Sequence, residues 1–288
     1  NANWDIGLDL QSGGLQMAAQ ADPATPTGTN LRLYAKAVAG RVLPKWIGPS
    51  GVDTPVQANF GFNRIAMMTP QTGTAAATFV SEFGGGFTNV CSSCSVPALT
   101  TTNLATSVRR ARYQTSGTAG NVTYHLPAAG LVWRGNAAGR GGFFYTTRFS
   151  FNATSATNRG FVGLVDNAGT APTNVDPTTN TTPGKIGLAF NNNTGNLKWV
   201  NNVTGTAPTV LDLGASYTVT TGNLYELVIF SPPNGTTITY RVQNITTGTV
   251  TSDTVISTNI PANTAFLAPE HWMTNNTNAA AVSIETSG

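Results

Sequence analysis

Apolar and polar residues alternate along much of this chain, and nowhere do they repeat convincingly with the period of a helix. Trp4, Ile6, Leu8 and Leu10 open the pattern, and a period of two places such side chains on one face of a strand. Residues 31–51 alternate again, from Leu31 through Leu33, Ala35 and Ala37, but Pro44, Gly48, Pro49 and Gly51 interrupt any long ladder. That segment reads as extended, basic and aromatic-bearing. It has little means of burying itself, so its natural partner is another chain.

From about residue 121 the pattern becomes regular. Residues 143–151 carry aromatic side chains at alternate positions, and 159–165 follow as the next strand. Residues 185–190 and 197–200 flank the polar run Asn191-Asn192-Asn193-Thr194-Gly195-Asn196, while 224–230 and 237–242 flank Ser231-Pro232-Pro233-Asn234-Gly235. Each pair predicts a hairpin. Residues 282–285 alternate at the end. Strands recurring at short intervals with turn chemistry between them predict a two-sheet sandwich. The intervening stretch, 71–120, is poor in large apolar residues and reads as a small β-rich connector. The expected organisation is all-β: an extended segment over 1–70, the connector over 71–120, and a jelly-roll-like antiparallel β-sandwich over 121–288.

Composition strengthens this reading. Only 9% of the 288 residues are charged, against about 25% in an average domain. The polar exterior must then come from Thr, Asn, Ser and Gln. Thr is stiff at χ1 and Asn competes with the helical backbone for hydrogen bonds, so both favour strands and turns. The 31 glycines and 16 prolines supply the bends. Fifteen cations and a net charge of +3 are too sparse for a phosphate-tracking surface. No run approaches the roughly 20 apolar residues that cross a bilayer. Neither nucleic acid nor membrane insertion is expected.

Catalytic sets are scarce. His125 and His271 stand in Tyr124-His125-Leu126-Pro127 and Pro269-Glu270-His271-Trp272, without a Gly-x-Ser-x-Gly elbow. The twelve acids offer few carboxylate pairs for glycoside hydrolysis, and Glu226 is expected on the solvent face of its strand. Asp166 and Asp176 share a loop-rich stretch whose oxygens suit calcium, but the Asp-x-Asp-x-Asp-Gly spacing is missing. Cys91 and Cys94 form a lone Cys-x-x-Cys without the further ligands of a zinc site or the βαβ setting of a redox pair. A local disulfide and two free thiols are the remaining readings. Arg109, Arg110 and Arg112, beside Tyr113, form a small patch expected to meet a partner chain or to stand solvated. No cofactor, no metal and no enzymatic activity is expected. The last candidates are aromatic: Trp133, Trp199, Tyr217 and Trp272 fall near loops or strand ends. There a ring can stack on the C–H face of a sugar while Asn or Asp holds its hydroxyls. Each can equally serve a core.

Two stretches resemble known families. The strands at 143–151, 160–165, 186–200 with its Asn-rich hairpin, and 225–242 resemble the concanavalin-A-like lectin sandwiches at the ends of tailed-bacteriophage fibre and receptor-binding proteins. Asn3-Trp4-Asp5-Ile6-Gly7-Leu8, Leu31-Arg32-Leu33-Tyr34-Ala35-Lys36, and Leu43-Pro44-Lys45-Trp46-Ile47-Gly48-Pro49-Ser50-Gly51 followed by Asp53-Thr54-Pro55 resemble the N-terminal attachment regions of phage virion proteins. The resemblance implies a structural virion protein, a homotrimeric tail fibre involved in host attachment. It would dock on other virion proteins through Trp4, Leu31, Arg32, Tyr34, Lys36, Arg41, Lys45, Trp46 and Ile47, and its sandwich would face a host surface glycan. It would be made in the bacterial cytoplasm and reside in the extracellular particle. A head-attached fibre or capsid decoration protein, and a capsule depolymerase, are the alternatives.

Overall fold

The computed structural model describes residues 9–11, 14–27, 30–47, 53–55, 87–127, 129–138, 140–155, 157–191 and 195–287. The chain divides into two units, Asn1–Ile65 and Ala66–Gly288. Among the described residues the helical turns are two short 3-10 turns, Ala105–Ser107 and Ala215–Tyr217. Everything else that is regular is strand.

In the N-terminal unit β1 (Asp9–Gln11) pairs with β2 (Gly14–Gln16), and β3 (Arg32–Val38), β4 (Arg41–Ile47) and β5 (Asp53–Pro55) form a three-stranded antiparallel sheet. The segment read as extended and unable to bury itself is thus folded back on itself. Ala39 and Gly40 both take positive φ, 48° and 75°, and such a two-residue turn matches the twist of its strands. Pro44 is accommodated by register. Counted from the turn, Val38↔Arg41 is a hydrogen-bonded pair, so Ala35↔Pro44 falls at a non-hydrogen-bonded one. The proline nitrogen therefore faces away from β3, and β5 reaches only Lys45, Trp46 and Ile47. Tyr34, Ala35, Ala39, Leu43 and Ile47 are buried. The alternating run around Trp4 lies outside the described residues.

The second unit is a jelly-roll-like antiparallel sandwich of two sheets. Sheet I runs, edge to edge, β15 (Thr209–Asp212), β14 (Lys198–Asn202), β13 (Lys185–Phe190), β12 (Arg159–Val165), β20 (Phe266–Thr274), β9 (Val122–Pro127) and β6 (Phe87–Val90). The two-residue β10 (Val132–Trp133) also pairs with β20. Sheet II runs β18 (Thr249–Val250), β17 (Ile238–Asn244), β16 (Leu224–Ser231), β11 (Phe143–Ala153), β21 (Ser283–Thr286), β8 (Ala111–Gln114) and β7 (Ser93–Ser95), with β19 (Thr254–Ile256) on β17. The connections β6–β7, β8–β9, β10–β11, β11–β12, β15–β16, β19–β20 and β20–β21 all cross between sheets. The sandwich therefore starts well before residue 121. The stretch read as a connector supplies β6, β7 and β8 to both sheets, and the Cys91–Cys94 disulfide, Cα atoms 5.6 Å apart, sits at the first crossing. Composition misleads there because outer strands are short and need few large apolar residues.

The core lies between the sheets. Phe151 from β11 meets Phe190 from β13 edge-on, ring centroids 5.0 Å apart, and Phe149 stands beside Phe151 at 5.8 Å. Trp199 of β14 lies flat on Tyr240 of β17, centroids 3.7 Å apart and planes 4° from parallel. Burying each such ring contributes about 1.5–3 kcal/mol. A second apolar cluster covers the outer face of sheet I: Leu126, Phe161, Val165, Ala189, Val200, Ala268 and Trp272. This explains why β12 and β13 are near-continuous apolar runs, buried on both faces. Gly163 and Gly187 stand opposite one another there. A Cβ at Gly163 would come within 2.3 Å of the Ile186 carbonyl oxygen and 2.8 Å of the Phe161 ring, so the paired glycines form the floor on which Phe161 rests.

Candidate functional site

One end of the sandwich gathers loops from both sheets around a buried arginine. Trp133, on β10, pairs in register with Phe266, the first residue of β20. Their rings stack with centroids 5.5 Å apart and 21° between planes. Phe266 is 60% exposed, a large apolar face open to solvent. The next residue, Arg134, is buried and donates from Nη1 to the Pro261 carbonyl (2.8 Å) and from Nη2 to the Gly235 carbonyl (2.5 Å). The Asn234 amide donates to the carbonyls of Arg134 (2.9 Å) and Arg140 (3.0 Å), and the Gly135 amide to that of Asn263 (3.0 Å). Three loops are thus held together by one guanidinium and a set of backbone bonds. The neck of the Arg134–Gly142 loop depends on glycine: Gly135 and Gly141 both take positive φ. Any Cβ on Gly135 would lie 1.9 Å from the Arg140 carbonyl oxygen.

A different set occupies the outer face of sheet I. Glu270, Lys185, Trp272, Phe161, Val165, Pro177, Asn180 and Pro183 line a cavity of about 20 Å³, space for one water molecule. Burial pushes the Glu270 carboxyl up to about 8, against the opposing pull of Lys185 and a hydrogen bond from Trp272. Burial likewise brings the Lys185 ammonium down to about 8, against the attraction of Glu270 and Asp166. Lys185 Nζ donates to the Asn180 carbonyl (2.6 Å) and the Pro183 carbonyl (3.3 Å). The space admits no sugar ring, and the pair holds the covering loop onto the sheet.

The two histidines face the opposite way, into the sandwich. His125 and His271 are register neighbours on β9 and β20 with ring centroids 6.1 Å apart. The Tyr113 hydroxyl lies 3.3 Å from His125 Nδ1, and the Tyr145 hydroxyl 2.9 Å from His271 Nε2. Burial lowers His271 to about 4 and drives His125 well below its ordinary value, helped by His271. Both are neutral core residues, away from solvent.

The candidate glycan-contact residues therefore separate. Trp133 stands beside the open Phe266 face. Trp199 and Tyr217 are enclosed in the main core, and Trp272 in the outer cluster of sheet I. Phe266, Arg134 and Arg140 carry no signal in the alternation. The glycine-flanked Gly139-Arg140-Gly141-Gly142 beside Trp133-Arg134-Gly135 is the trace that could have pointed to them. Among the attachment candidates, Leu31 is 60% exposed, and Arg32 donates to the Ala24 carbonyl (2.9 Å). Tyr34 is buried with its hydroxyl on Asp22 (3.0 Å), and Lys36 forms an ion pair with the same carboxylate. Ile47 is buried, while Arg41, Lys45 and Trp46 are half-buried. Trp4 lies outside the described residues.

Other charges are matched within the chain. Arg110 and Arg112 both bind Glu285, at 2.6 and 2.7 Å, and Glu226 pairs with Arg148 at 2.7 Å. The arginine patch thus closes on an acid of its own chain instead of meeting a partner or standing solvated, with only Arg109 left exposed. Asp166 accepts from the Gly184 amide (2.9 Å) and the Thr204 hydroxyl (2.6 Å). Asp176 accepts from Thr178 and Asn191. Both loop carboxylates serve the loops that carry them.

Fold and site together define an antiparallel β-sandwich of jelly-roll type with an aromatic face at one end. No family model matches the sequence, and no curated protein matches it. In structure the chain is similar to lectin II from Ulex europaeus (TM-score 0.45, 12% identity, covering 77% of this chain and 97% of that one). Peanut lectin (0.43, 11%, 75% and 97%) and a carbohydrate esterase from the Shiga toxin-encoding bacteriophage phi24B (0.40, 13%, 70% and 90%) are also similar. Likenesses this distant assign neither a ligand nor a reaction.

Proposed function

We propose that this protein is a non-enzymatic glycan-binding subunit of a tailed-bacteriophage particle, a homotrimeric tail fibre that contacts the host surface through the Trp133–Phe266 end of its sandwich. The observation that carries the binding reading is the stacked pair itself, with Phe266 60% exposed. A stacked aromatic face with polar loop groups around it can receive a sugar's C–H surface while those groups hold its hydroxyls. The virion reading is supported by the N-terminal sequence resemblance. Leu31, Leu33 and Val42, exposed at 60%, 37% and 55% on the β3–β4 hairpin, supply apolar surface for docking on another virion protein. A glycan array of host surface polysaccharides tests the binding claim. The intact chain should bind at least one, and Trp133→Ala or Phe266→Ala should weaken that binding about tenfold, a loss of about 1.4 kcal/mol. Absence of binding to any host glycan would leave only a structural role.

A further inference from the structure

We infer that the ligand of this end is an acidic saccharide, one carrying a carboxylate on or beside the ring that stacks on Trp133 and Phe266. The inference rests on the glycan-binding reading and adds the chemical class. Arg134 is 6% exposed, and its guanidinium donates to two neutral carbonyls, those of Pro261 and Gly235. Its Nε is buried without a hydrogen-bond partner among the described residues. A buried cation with no counter-charge is costly and projects an uncompensated positive field. Arg140, exposed in the same loop, has no ion pair among the described residues either. The stretches that converge here, residues 129–138, 140–142, 231–237 and 257–265, contain these two arginines and no Asp or Glu.

Across the outer face of sheet II, Arg110 and Arg112 meet Glu285, Arg148 meets Glu226, and Arg241 meets Asp253. Four arginines on or beside the strands of sheet II thus have acid partners of their own chain. The adjoining 166–184 loop contributes Asp166 and Asp176, whose oxygens are taken by Gly184 and Thr204, and by Thr178 and Asn191. The cationic end is therefore left for an anion from outside. A guanidinium binds a carboxylate in bidentate fashion, and Arg140 is the exposed guanidinium among the loops of this end.

The test is binding of hexuronate-bearing and sialylated oligosaccharides beside their carboxyl-reduced counterparts, by isothermal titration of the full chain. The acidic forms should bind about tenfold or more tightly, with the preference shrinking as salt is raised from low to about 0.3 M. The preference should vanish in Arg140→Gln. Because that side chain is exposed, an unchanged melting temperature will confirm that the variant folds. Equal binding of acidic and reduced forms, abolished by Trp133→Ala, would overturn the inference and leave the aromatic platform standing. If no saccharide of either kind binds, the platform reading falls as well.

Discussion

At the residue scale, burial decides what the ionisable groups do. Glu270 retains its proton in the folded chain up to about pH 8, whereas in the unfolded chain it ionises near 4.5. The unfolded state therefore loses a proton first as pH rises, and folding stability falls between those values. Glu270→Gln should flatten that limb when urea midpoints are measured at pH 5 and pH 8. An unchanged slope would mean that Glu270 is ionised in the native state. On the acid side the sign is opposite. Unfolded histidine takes a proton near 6.5 while His271 resists until about 4, so stability present above 6.5 is lost as pH drops through that window. His271→Gln, whose amide can bond the Tyr145 hydroxyl in either direction, should make thermal midpoints less sensitive to acid between pH 6.5 and 4.5.

At the element scale, small residues fix where strands and loops can approach. Gly163 and Gly187 let β12 and β13 lie beneath Phe161, and Gly163→Ala should cost on the order of 1–3 kcal/mol, read as a lowered denaturant midpoint. Gly135→Ala acts differently. Its Cβ would collide with the Arg140 carbonyl, in a loop outside the core. It should abolish glycan binding while leaving the melting temperature within a few degrees. A variant that binds normally would show that the loop neck can rearrange. The β3–β4 hairpin carries the same lesson in another form. Alternation marked its residues only as one extended segment, and folding that segment onto itself needed the positive φ of Ala39 and Gly40, a turn pair weaker in sequence than Asn-Gly.

At the scale of the whole molecule, the two units have separate cores, and every residue of the main and outer clusters belongs to the second. A chain beginning at Ala66 should therefore keep the far-UV signature and melting transition of the sandwich. If the proposed trimer is held by the N-terminal region, native mass spectrometry should read a trimer for the full chain and a lower order for the truncated one. A monomeric full chain would remove the fibre reading, while glycan binding would remain open to the array.

By itself the sequence determined the class and much of the strand inventory. Period two along 143–151 and 282–285, with Asn-, Pro- and Gly-rich turns between the intervening strands, leaves few folds other than stacked antiparallel sheets, because each alternating face must be buried against another. It also indicated that Trp133 was worth watching. Only the tertiary structure decided which aromatics are open. Trp199, Tyr217 and Trp272 have the same local setting as Trp133, and what separates them is the strand lying opposite, sometimes far along the chain: Tyr240 covers Trp199. The same holds for charge. Arg110 and Glu285 are 175 residues apart and 2.6 Å from one another, whereas Arg134 meets only carbonyl oxygens. Local alternation records which face a side chain takes, and pairing across the sheets decides what that face meets.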